Sequence, residues 1–336
     1  MVLLFTLAYA AAPPPIVNGS TTKDYPQVVT LYSQDSRGYG YNFCSGTLID
    51  PKWVLTAAHC ADAFEDNEAQ GMNEHYAIVG YDISKSSGMT DNAKVKAWYQ
   101  NPGWDPNNYD TASQHADIAL VELSTKITSI DPMPVNKDVL KNSMIGTDYR
   151  YVGWGITSDN GQDSTKKRTA DIPLYDFDTF LQVGYDPVDK QNVCSGDSGG
   201  AGLEILGDGM YELSLVNGYV YSIAGGNTPC ATGATGGVRV DHYISWIEGY
   251  VPVYSYDEMY PEDTGPVDTG SGDTGTADSG GTDNGSPSNA PFNEPNTPDQ
   301  VGEDYGAGTS GLCGTPAPLG WAGALVALAL VTRRRR

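Results

Sequence analysis

Residues 194–200 read CSGDSGG, a stretch in which Ser198 stands between small, flexible neighbours. Glycines permit a tight turn that exposes a serine hydroxyl and brings backbone N–H groups together at one point. The pattern is typical of an attacking hydroxyl beside an oxyanion hole. Glycine-rich turns are also common without any catalytic role, so the assignment depends on what the rest of the chain supplies.

Two other stretches supply the remaining groups of a hydrolytic site. Residues 53–60 read WVLTAAHC and contain His59, and residues 115–120 read HADIAL and contain Asp117. A base, a carboxylate and a nucleophile therefore occur in the order His, Asp, Ser, which is the chain order of the chymotrypsin-like constellation.

Together with IVNG at residues 16–19, GWG at 153–155 and YISWI at 243–247, these stretches resemble the trypsin/chymotrypsin family of serine proteases. The resemblance runs from Ile16 to about Tyr250. It implies an all-β fold of two antiparallel six-stranded β-barrels with the active site between them and a short C-terminal helix at residues 242–250. Short β-rich segments between turn residues agree with barrels. The predicted strands are residues 27–32, 43–49, 53–57, 76–83, 94–99, 117–123, 149–156, 169–175, 201–206, 211–216, 219–223 and 237–240.

The resemblance also implies the role of each catalytic group. An unassisted hydroxyl is a weak nucleophile, so Ser198 needs His59 to take its proton and return it to the leaving amine. Asp117 would hold His59 in the correct tautomer and stabilise the imidazolium. The family's oxyanion hole corresponds to the backbone N–H groups of Gly196 and Ser198.

An activation step is implied at the start of the resemblance. In related proteases the α-amino group freed at the IVNG sequence, here at Ile16, pairs with the residue that corresponds to Asp197. Residues 11–15 read AAPPP and offer no Arg or Lys to a tryptic activator. We therefore expect that a separate protease cuts after Pro15, or trims the short segment stepwise, before activity appears.

Family position assigns the floor of the substrate pocket to Asn192, where trypsin-like enzymes carry Asp. A neutral floor gives no strong reason to bind Arg or Lys. Gly237 is expected to line the same pocket. The residues at 222–224, Ser-Ile-Ala, depart from the family's usual Ser-Trp-Gly wall, and a methyl group at Ala224 would narrow the entrance.

The five cysteines indicate an oxidising compartment. The resemblance pairs Cys44 with Cys60 and Cys194 with Cys230. The fifth, Cys313, is expected to be a processing or attachment point, with a plain free thiol as the alternative. The histidines show no HxxxH or HExxH spacing and there is no CxxC pair, so we expect no zinc site and no cofactor.

The strongly negative net charge of the chain limits the classes of molecule that it can bind. The formal net charge is −23, and residues 254–312 hold 12 acidic side chains and no basic ones. Nucleic acid is therefore not an expected partner. At 336 residues and 39% hydrophobic content, the chain is long enough for a globular enzyme.

The segments outside the protease domain, which we place at residues 16–253, predict export. Residues 1–15 are interpreted as a signal peptide and a short propeptide, because the apolar run at 2–12 ends in AYA at 8–10. A buried strand is the alternative. Residues 254–311, rich in Asp, Gly, Thr, Ser and Pro with an Asp every five residues from Asp263 to Asp283, are predicted to be a disordered spacer.

Residues 312–336 contain an apolar run at 317–331, predicted to be a short helix, and four arginines at 333–336. This end resembles bacterial three-part sorting signals of the type found in myxobacteria: a Cys or Gly motif, an apolar helix and an arginine cluster. The arginines predict a cytoplasmic end with the protease domain outside. A sorting protease would be a partner, and the membrane would be contacted through this segment.

The leading functional hypothesis is an exported serine endopeptidase, secreted or held at the outer surface of a bacterium, that cleaves protein or peptide substrates without strict Arg or Lys specificity. The alternative from another class is a surface binding module that keeps the protease fold without turnover.

Overall fold

The computed structural model describes residues 16–107, 114–207, 209–222, 229–261 and 311–312. The predicted signal peptide and propeptide lie outside this range. So do most of the predicted spacer and all of the sorting segment except Leu312. Among the described residues, no helix combines the length and the apolar character needed to cross a membrane.

The first barrel is a closed antiparallel sheet of six strands, preceded by the two-residue strand β1 (Ser20–Thr21). Its strands are β2 (Val28–Gln34), β3 (Gly40–Asp50), β4 (Trp53–Thr56), β5 (Glu74–Gly80), β6 (Met89–Gln100) and β7 (Ala119–Leu123). Their order around the barrel is β2-β3-β4-β7-β6-β5, and pairing of β2 with β5 closes it. A helix, α1 (Ala58–Ala69), follows β4 directly, so the last residues of a buried strand lead into the helix.

The second barrel also contains six strands. They are β8 (Asp148–Gly153), β9 (Arg168–Phe177), β10 (Leu181–Gly184), β11 (Ala201–Gly207), β12 (Met210–Ser222) and β13 (Gly233–Arg239). The order β9-β10-β13-β12-β11-β8 is closed by the pairing of β8 with β9. Strand β1 pairs with β9 on the outside, and β14 (Gly311–Leu312) pairs with β12. The predicted two-barrel fold is confirmed.

One apolar core joins the barrels. It contains Leu31 and Leu120 of the first barrel and Val152 and Val216 of the second, all at most 1% exposed. Trp154 lies in this core and donates its indole N–H to the carbonyl of Val28 at 3.2 Å. Because an indole N–H must be bonded when it is buried, this contact fixes Trp154 against the other barrel.

Several strands and helices of the structure differ from the prediction. The segments predicted as separate strands at 211–216 and 219–223 are one strand, β12, whose register against β13 shifts between Asn217 and Tyr219. The four-residue strand β10 was not predicted. The predicted helix at 242–250 is α3 (Val240–Glu248), which begins two residues earlier, and a one-turn helix, α2 (Pro229–Thr232), precedes β13.

The chain does not leave the barrels at residue 253. The backbone carbonyl of Tyr254 accepts a hydrogen bond from the N–H of Val135 at 2.8 Å, and α4 (Tyr256–Met259) follows. The N–H of Tyr256 donates to the carboxylate of Glu212, and Lys137 Nζ lies 2.7 Å from Glu258 Oε2. The first eight residues of the predicted spacer are therefore attached to the second barrel and to the segment between the barrels.

Lys167 is a fully buried lysine, and its Nζ donates to the backbone carbonyl of Tyr25 at 2.8 Å. Burial lowers the pKa of this amine from 10.5 to about 7, although the charge of Asp24 raises it slightly. The unfolded chain therefore binds this proton more tightly than the folded chain, so Lys167 lowers the stability at neutral pH. That penalty diminishes as the pH rises from about 7 towards about 10.

We predict that Lys167→Met raises the free energy of unfolding at pH 7 by roughly 2 kcal/mol, because the penalty for the buried charge exceeds the worth of one hydrogen bond. The gain should shrink as the pH approaches 10. Denaturant unfolding between pH 6 and pH 10 measures both effects. The matched control is Lys166→Met, since Lys166 is exposed. Destabilisation by Lys167→Met at pH 7 would contradict the prediction.

Candidate active site

His59 and Asp117 lie on neighbouring elements of the first barrel and are joined by two hydrogen bonds. His59 is the second residue of α1, and Asp117 comes two residues before β7. Asp117 Oδ2 lies 2.8 Å from His59 Nδ1, and Asp117 Oδ1 accepts the backbone N–H of His59 at 2.9 Å. Because a carboxylate oxygen accepts hydrogen bonds, Nδ1 is assigned the ring proton and Nε2 is left as the basic nitrogen.

Ser198 belongs to the second barrel, in the turn that leads into β11, and it is 1% exposed. The first barrel holds this turn through Ser45. The Ser45 N–H donates to the carbonyl of Ser198 at 2.8 Å, and its hydroxyl donates to the carbonyl of Gly196 at 2.8 Å. The same hydroxyl accepts the N–H of Trp154 at 3.0 Å. Ser45 therefore positions residues 194–200, which we call the nucleophile turn after the predicted role of Ser198, against the barrel that carries His59.

Two glycines of this turn are required by its geometry. Gly196 and Gly199 have φ values of 96° and 76°, a region that favours glycine. A Cβ atom on Gly199 would lie 2.0 Å from Thr56 Oγ1. The turn can therefore approach the first barrel only with glycine at this position.

Asp197 is fully buried beneath the turn, and glycines make room for it. Its Oδ1 accepts the N–H of Gly155 at 2.7 Å and its Oδ2 accepts the N–H of Cys194 at 2.9 Å. Burial raises the pKa of this carboxyl to about 6, while the two N–H groups and the charge of Arg168 lower it and Asp163 raises it. The carboxylate is therefore only partly compensated by its surroundings.

Ile16 is fully buried in the apolar cluster that also contains Val193 and Cys194. Its neighbour Val17 forms a β-bridge with Asn192, so the start of the family resemblance is docked beside the turn. Ile16 has a φ of 42°, in the left-handed region that a β-branched residue rarely adopts. The intact chain therefore holds Ile16 in a strained backbone conformation.

Both predicted disulfides, Cys44–Cys60 and Cys194–Cys230, are confirmed. The first joins β3 to α1 next to His59, and the second joins the nucleophile turn to α2. The one cluster of metal-ligating side chains among the described residues is Cys44, His59 and Cys60. Both cysteines are in the disulfide, so neither offers the thiolate that a metal ion needs.

The structure describes some, but not all, of the residues predicted to line the substrate pocket. Asn192 is 2% exposed, beside Val193 and the disulfide of Cys194. Gly237 pairs with Asn217, and a Cβ atom there would lie 2.3 Å from Leu215 Cδ1. Its role in a pocket stays a prediction. In the predicted wall at 222–224, Ser222 ends β12, and Ile223 and Ala224 lie outside the described residues.

Sequence reasoning missed Ser45, Asn217 and Asp62. Asn217 exchanges backbone hydrogen bonds with Gly199 and Gly200 and thereby ties β12 to the nucleophile turn. For Ser45 the one signal was its position directly after a cysteine, within the predicted strand at residues 43–49. Asp62 had a clearer signal, since it follows His59 by one helical turn.

Asp62 is a second carboxylate near His59. Its Oδ2 accepts the indole N–H of Trp104 at 2.8 Å, and its Oδ1 accepts Gln100 Nε2 at 2.6 Å. Burial lowers the pKa of His59, but the charge and hydrogen bond of Asp117, followed by the charge of Asp62, outweigh it and raise the pKa above 6.5. These are the charged groups of the described residues that act on the imidazole.

Comparison with known proteins identifies the family. A sequence model of the family described as Trypsin matches residues 16–247. Chymotrypsin-like elastase family member 1 of Macaca fascicularis is 31% identical over 232 residues, which cover 63% of this chain and 80% of that protein. The bovine protein of the same name is 28% identical over 255 residues, covering 70% and 89%. A trypsin of Pleuronectes platessa is 28% identical over 224 residues, covering 65% and 84%.

Among solved structures, the human heparin binding protein superposes with a TM-score of 0.53 at 21% identity, covering 69% of this chain and 95% of that one. This likeness concerns the fold. The fold and the family match define a two-barrel serine-type endopeptidase. The chain belongs to the trypsin family of serine proteases.

We predict that Asp62→Asn shifts the acidic limb of the pH profile of kcat/KM to lower pH. The reason is that His59 must be neutral to act as a base, and removing a negative charge lowers its pKa. Peptide hydrolysis between pH 5 and pH 9 measures the limb. The control is Asp66→Asn, an exposed residue one turn further along α1, which should leave the limb in place. An unmoved or upward-shifted limb in Asp62→Asn would refute the role of Asp62.

Proposed function

We propose that the chain is an exported serine endopeptidase in which Ser198 attacks the peptide carbonyl, His59 is the general base and Asp117 orients His59. The observation that carries this proposal is that both oxygens of Asp117 bind His59, one at the backbone N–H and one at Nδ1. This arrangement leaves Nε2 to accept the serine proton. The N–H groups of Gly196 and Ser198 are the proposed oxyanion hole.

A fluorophosphonate probe tests the proposal, because it phosphonylates only a serine that a neighbouring base activates. We expect labelling of Ser198 in the mature protein and hydrolysis of a peptide library. Absence of both would reject the endopeptidase in favour of the binding module. Labelling at another serine would reject the assignment of the nucleophile.

We further propose that the P1 pocket accepts small apolar side chains and binds Arg and Lys weakly. Val220 and Thr235 are register partners in β12 and β13, so their side chains leave the sheet on the same face. Val220 shares an apolar cluster with Val193 and Cys194, next to the proposed floor at Asn192. Two branched side chains above an uncharged floor leave little depth for a long or aromatic P1 residue. Several relatives that the chain resembles are named elastases.

We predict that Val220→Ala raises the ratio of kcat/KM for P1 Phe over P1 Ala by about tenfold, since a few methyl groups in an apolar pocket change discrimination by that order. Matched peptides that differ only at P1 measure the ratio, which is insensitive to partial unfolding. Val216→Ala, on the same strand but in the core between the barrels, is the control. An unchanged ratio, or a wild-type preference for Arg or Lys, would contradict this pocket.

Activation is proposed to require a separate protease that cuts after Pro15, because full activity needs a charged amine for Asp197. The buried, partly compensated carboxylate and the unfavourable φ of Ile16 support this. Cutting before Ile16 removes the φ constraint and creates the amine. Chains that begin at Ala11 and at Ile16 should differ in activity, as measured together with N-terminal sequencing. Equal activity would refute the mechanism.

Export and surface attachment are proposals that rest on the disulfides and on the sequence of the termini, which lie outside the described residues. We propose that residues 1–10 direct export and that residues 312–336 attach the protein to the membrane, at least until a sorting protease acts. Deleting residues 312–336 should move the protein into the medium. Identical fractionation and identical mature C-termini would refute the attachment.

A further inference from the structure

Arg168, the first residue of β9, is an arginine buried beneath the nucleophile turn. Its side chain is 3% exposed, and the guanidinium donates through Nη1 to the carbonyl of Gly155 at 2.6 Å and through Nη2 to Asp163 Oδ2 at 3.0 Å. The side chain of Asp163 is 45% exposed. Because Asp163 faces solvent, it compensates the buried charge of Arg168 only in part. Further compensation must therefore come from another acid near the guanidinium.

Two further acids act on Arg168, Asp197 and, to a smaller extent, Asp82. Asp197 is the one connected to Arg168 through the backbone of Gly155. The carbonyl of Gly155 accepts from Arg168, and the N–H of Gly155 donates to Asp197 Oδ1. Gly155 therefore lies between the two charged groups, and in the buried, low-dielectric interior these charges attract each other more strongly than they would in water. The attraction between the two charges also agrees with the direction in which Arg168 moves the pKa of the carboxyl.

The position of this carboxylate does not depend on a free chain end. Cβ atoms on Gly153 and Gly155 would lie 2.2 Å and 2.4 Å from its oxygens, so the GWG stretch leaves a space of its size. In the intact chain the nitrogen of Ile16 belongs to the peptide bond with Pro15 and carries no charge. Among the described residues, Arg168 is therefore the cation that lowers the pKa of Asp197 before any cleavage.

We infer that Arg168 is a positioning residue that supplies a fixed positive charge to Asp197 and thereby holds the turn at residues 194–198 in its reactive shape before Ile16 is freed. The inference rests on the proposed function, because the shape of the turn matters only when Ser198 is the nucleophile. A consequence is that the unprocessed chain is partly active. After cleavage, the amine of Ile16 also supplies positive charge to Asp197.

The test compares Arg168→Gln with Arg168→Lys in the full chain, once with residues 11–15 in place and once processed to Ile16. Gln keeps a donor for the carbonyl of Gly155 but removes the charge, whereas Lys keeps the charge. We expect Arg168→Gln to lower the rate constant of Ser198 phosphonylation about tenfold in the unprocessed chain and about threefold or less after processing. Arg168→Lys should stay within about threefold of wild type in both forms. In peptide hydrolysis the loss should appear in kcat and leave KM unchanged.

Asp163→Asn is the matched control, because it removes the exposed partner of Arg168 and leaves the guanidinium in place. If Arg168 only anchors its loop through Asp163, this variant will lose as much activity as Arg168→Gln, and the inference is overturned. It is also overturned by equal losses in the unprocessed and processed chains, or by equal losses with Gln and Lys. Should Arg168→Gln not fold, a tenfold loss in unprocessed Arg168→Lys would still refute the role of the charge.

Failure of this inference and failure of the proposed function give different results. If the processed wild-type chain is neither labelled nor able to hydrolyse peptides, the endopeptidase assignment fails. If the wild-type chain is labelled normally and the Arg168 variants react at the same rate, only the positioning role of Arg168 fails.

Discussion

Ser198→Ala is expected to lower kcat for peptide hydrolysis by about 10⁶-fold while KM changes little. The alanine removes the atom that forms the acyl-enzyme, but it retains the backbone N–H groups of the turn and the packing of a residue that is almost fully buried. The remaining rate should come from substrate binding and the oxyanion hole, which act without the hydroxyl. Wild-type enzyme can be quantified by active-site titration, whereas the variant lacks the titrated hydroxyl and must be quantified by absorbance and followed in a long-incubation assay.

Ser195→Ala is the matched control for this variant, because Ser195 lies in the same turn and contributes a backbone carbonyl that accepts from Ile156. Its activity should remain within about threefold of wild type, as expected for a substitution without a named destabilising mechanism. Comparable rates for Ser198→Ala and wild type would show that another group performs the attack.

The second large effect is expected for Asp117→Asn, which should reduce kcat about 10⁴-fold near neutral pH. The two hydrogen bonds to His59 explain why. The backbone N–H of His59 requires an oxygen from residue 117, so the amide of an Asn would point its NH₂ group at Nδ1. Nδ1 would then have to accept, the ring proton would move to Nε2, and Nε2 could no longer take the proton of Ser198.

Asp105→Asn, in the loop after β6, serves as the control for the loss of one carboxylate, and it should retain wild-type kcat. Thermal unfolding of both variants separates a catalytic loss from a folding defect. A loss of less than about tenfold in a folded Asp117→Asn protein would contradict the orienting role of Asp117.

The two-barrel fold could be predicted because its signals are local. In the stretches that contain His59 and Asp117, an apolar strand segment adjoins the polar residue. The family resemblance then assigned each stretch its position in the fold. The register shift of β12 at Gly218 could not be recognised from the sequence. The pair Asn217-Gly218 is typical of a turn that ends a strand, and the sequence does not show that the strand continues. Strand β10 has four residues and too few alternations to stand out.

The support of the site depends on contacts that are distant in sequence, and these were not predictable. Residues 166–168 read KKR, which by composition indicates a solvated surface. In the structure Lys166 is exposed, whereas Lys167 and Arg168 are buried. Their acceptors are the carbonyls of Tyr25 and Gly155, and no local pattern shows that these carbonyls face inward. Ser45 was missed for the same reason, since its partners lie more than 100 residues away.

The attachment of residues 254–261 has a mechanical consequence. If the tail tethers the protease, tension along it acts first on the pairing of β14 with β12. Once that pairing has separated, tension acts on the bonds of Lys137 with Glu258, of Glu212 with Tyr256 and of Val135 with Tyr254. None of residues 254–261 is a barrel strand. Detaching them therefore lengthens the tether while strands β2 to β13 keep their hydrogen bonds to one another. The distance between the first-barrel and second-barrel residues of the site is then unchanged.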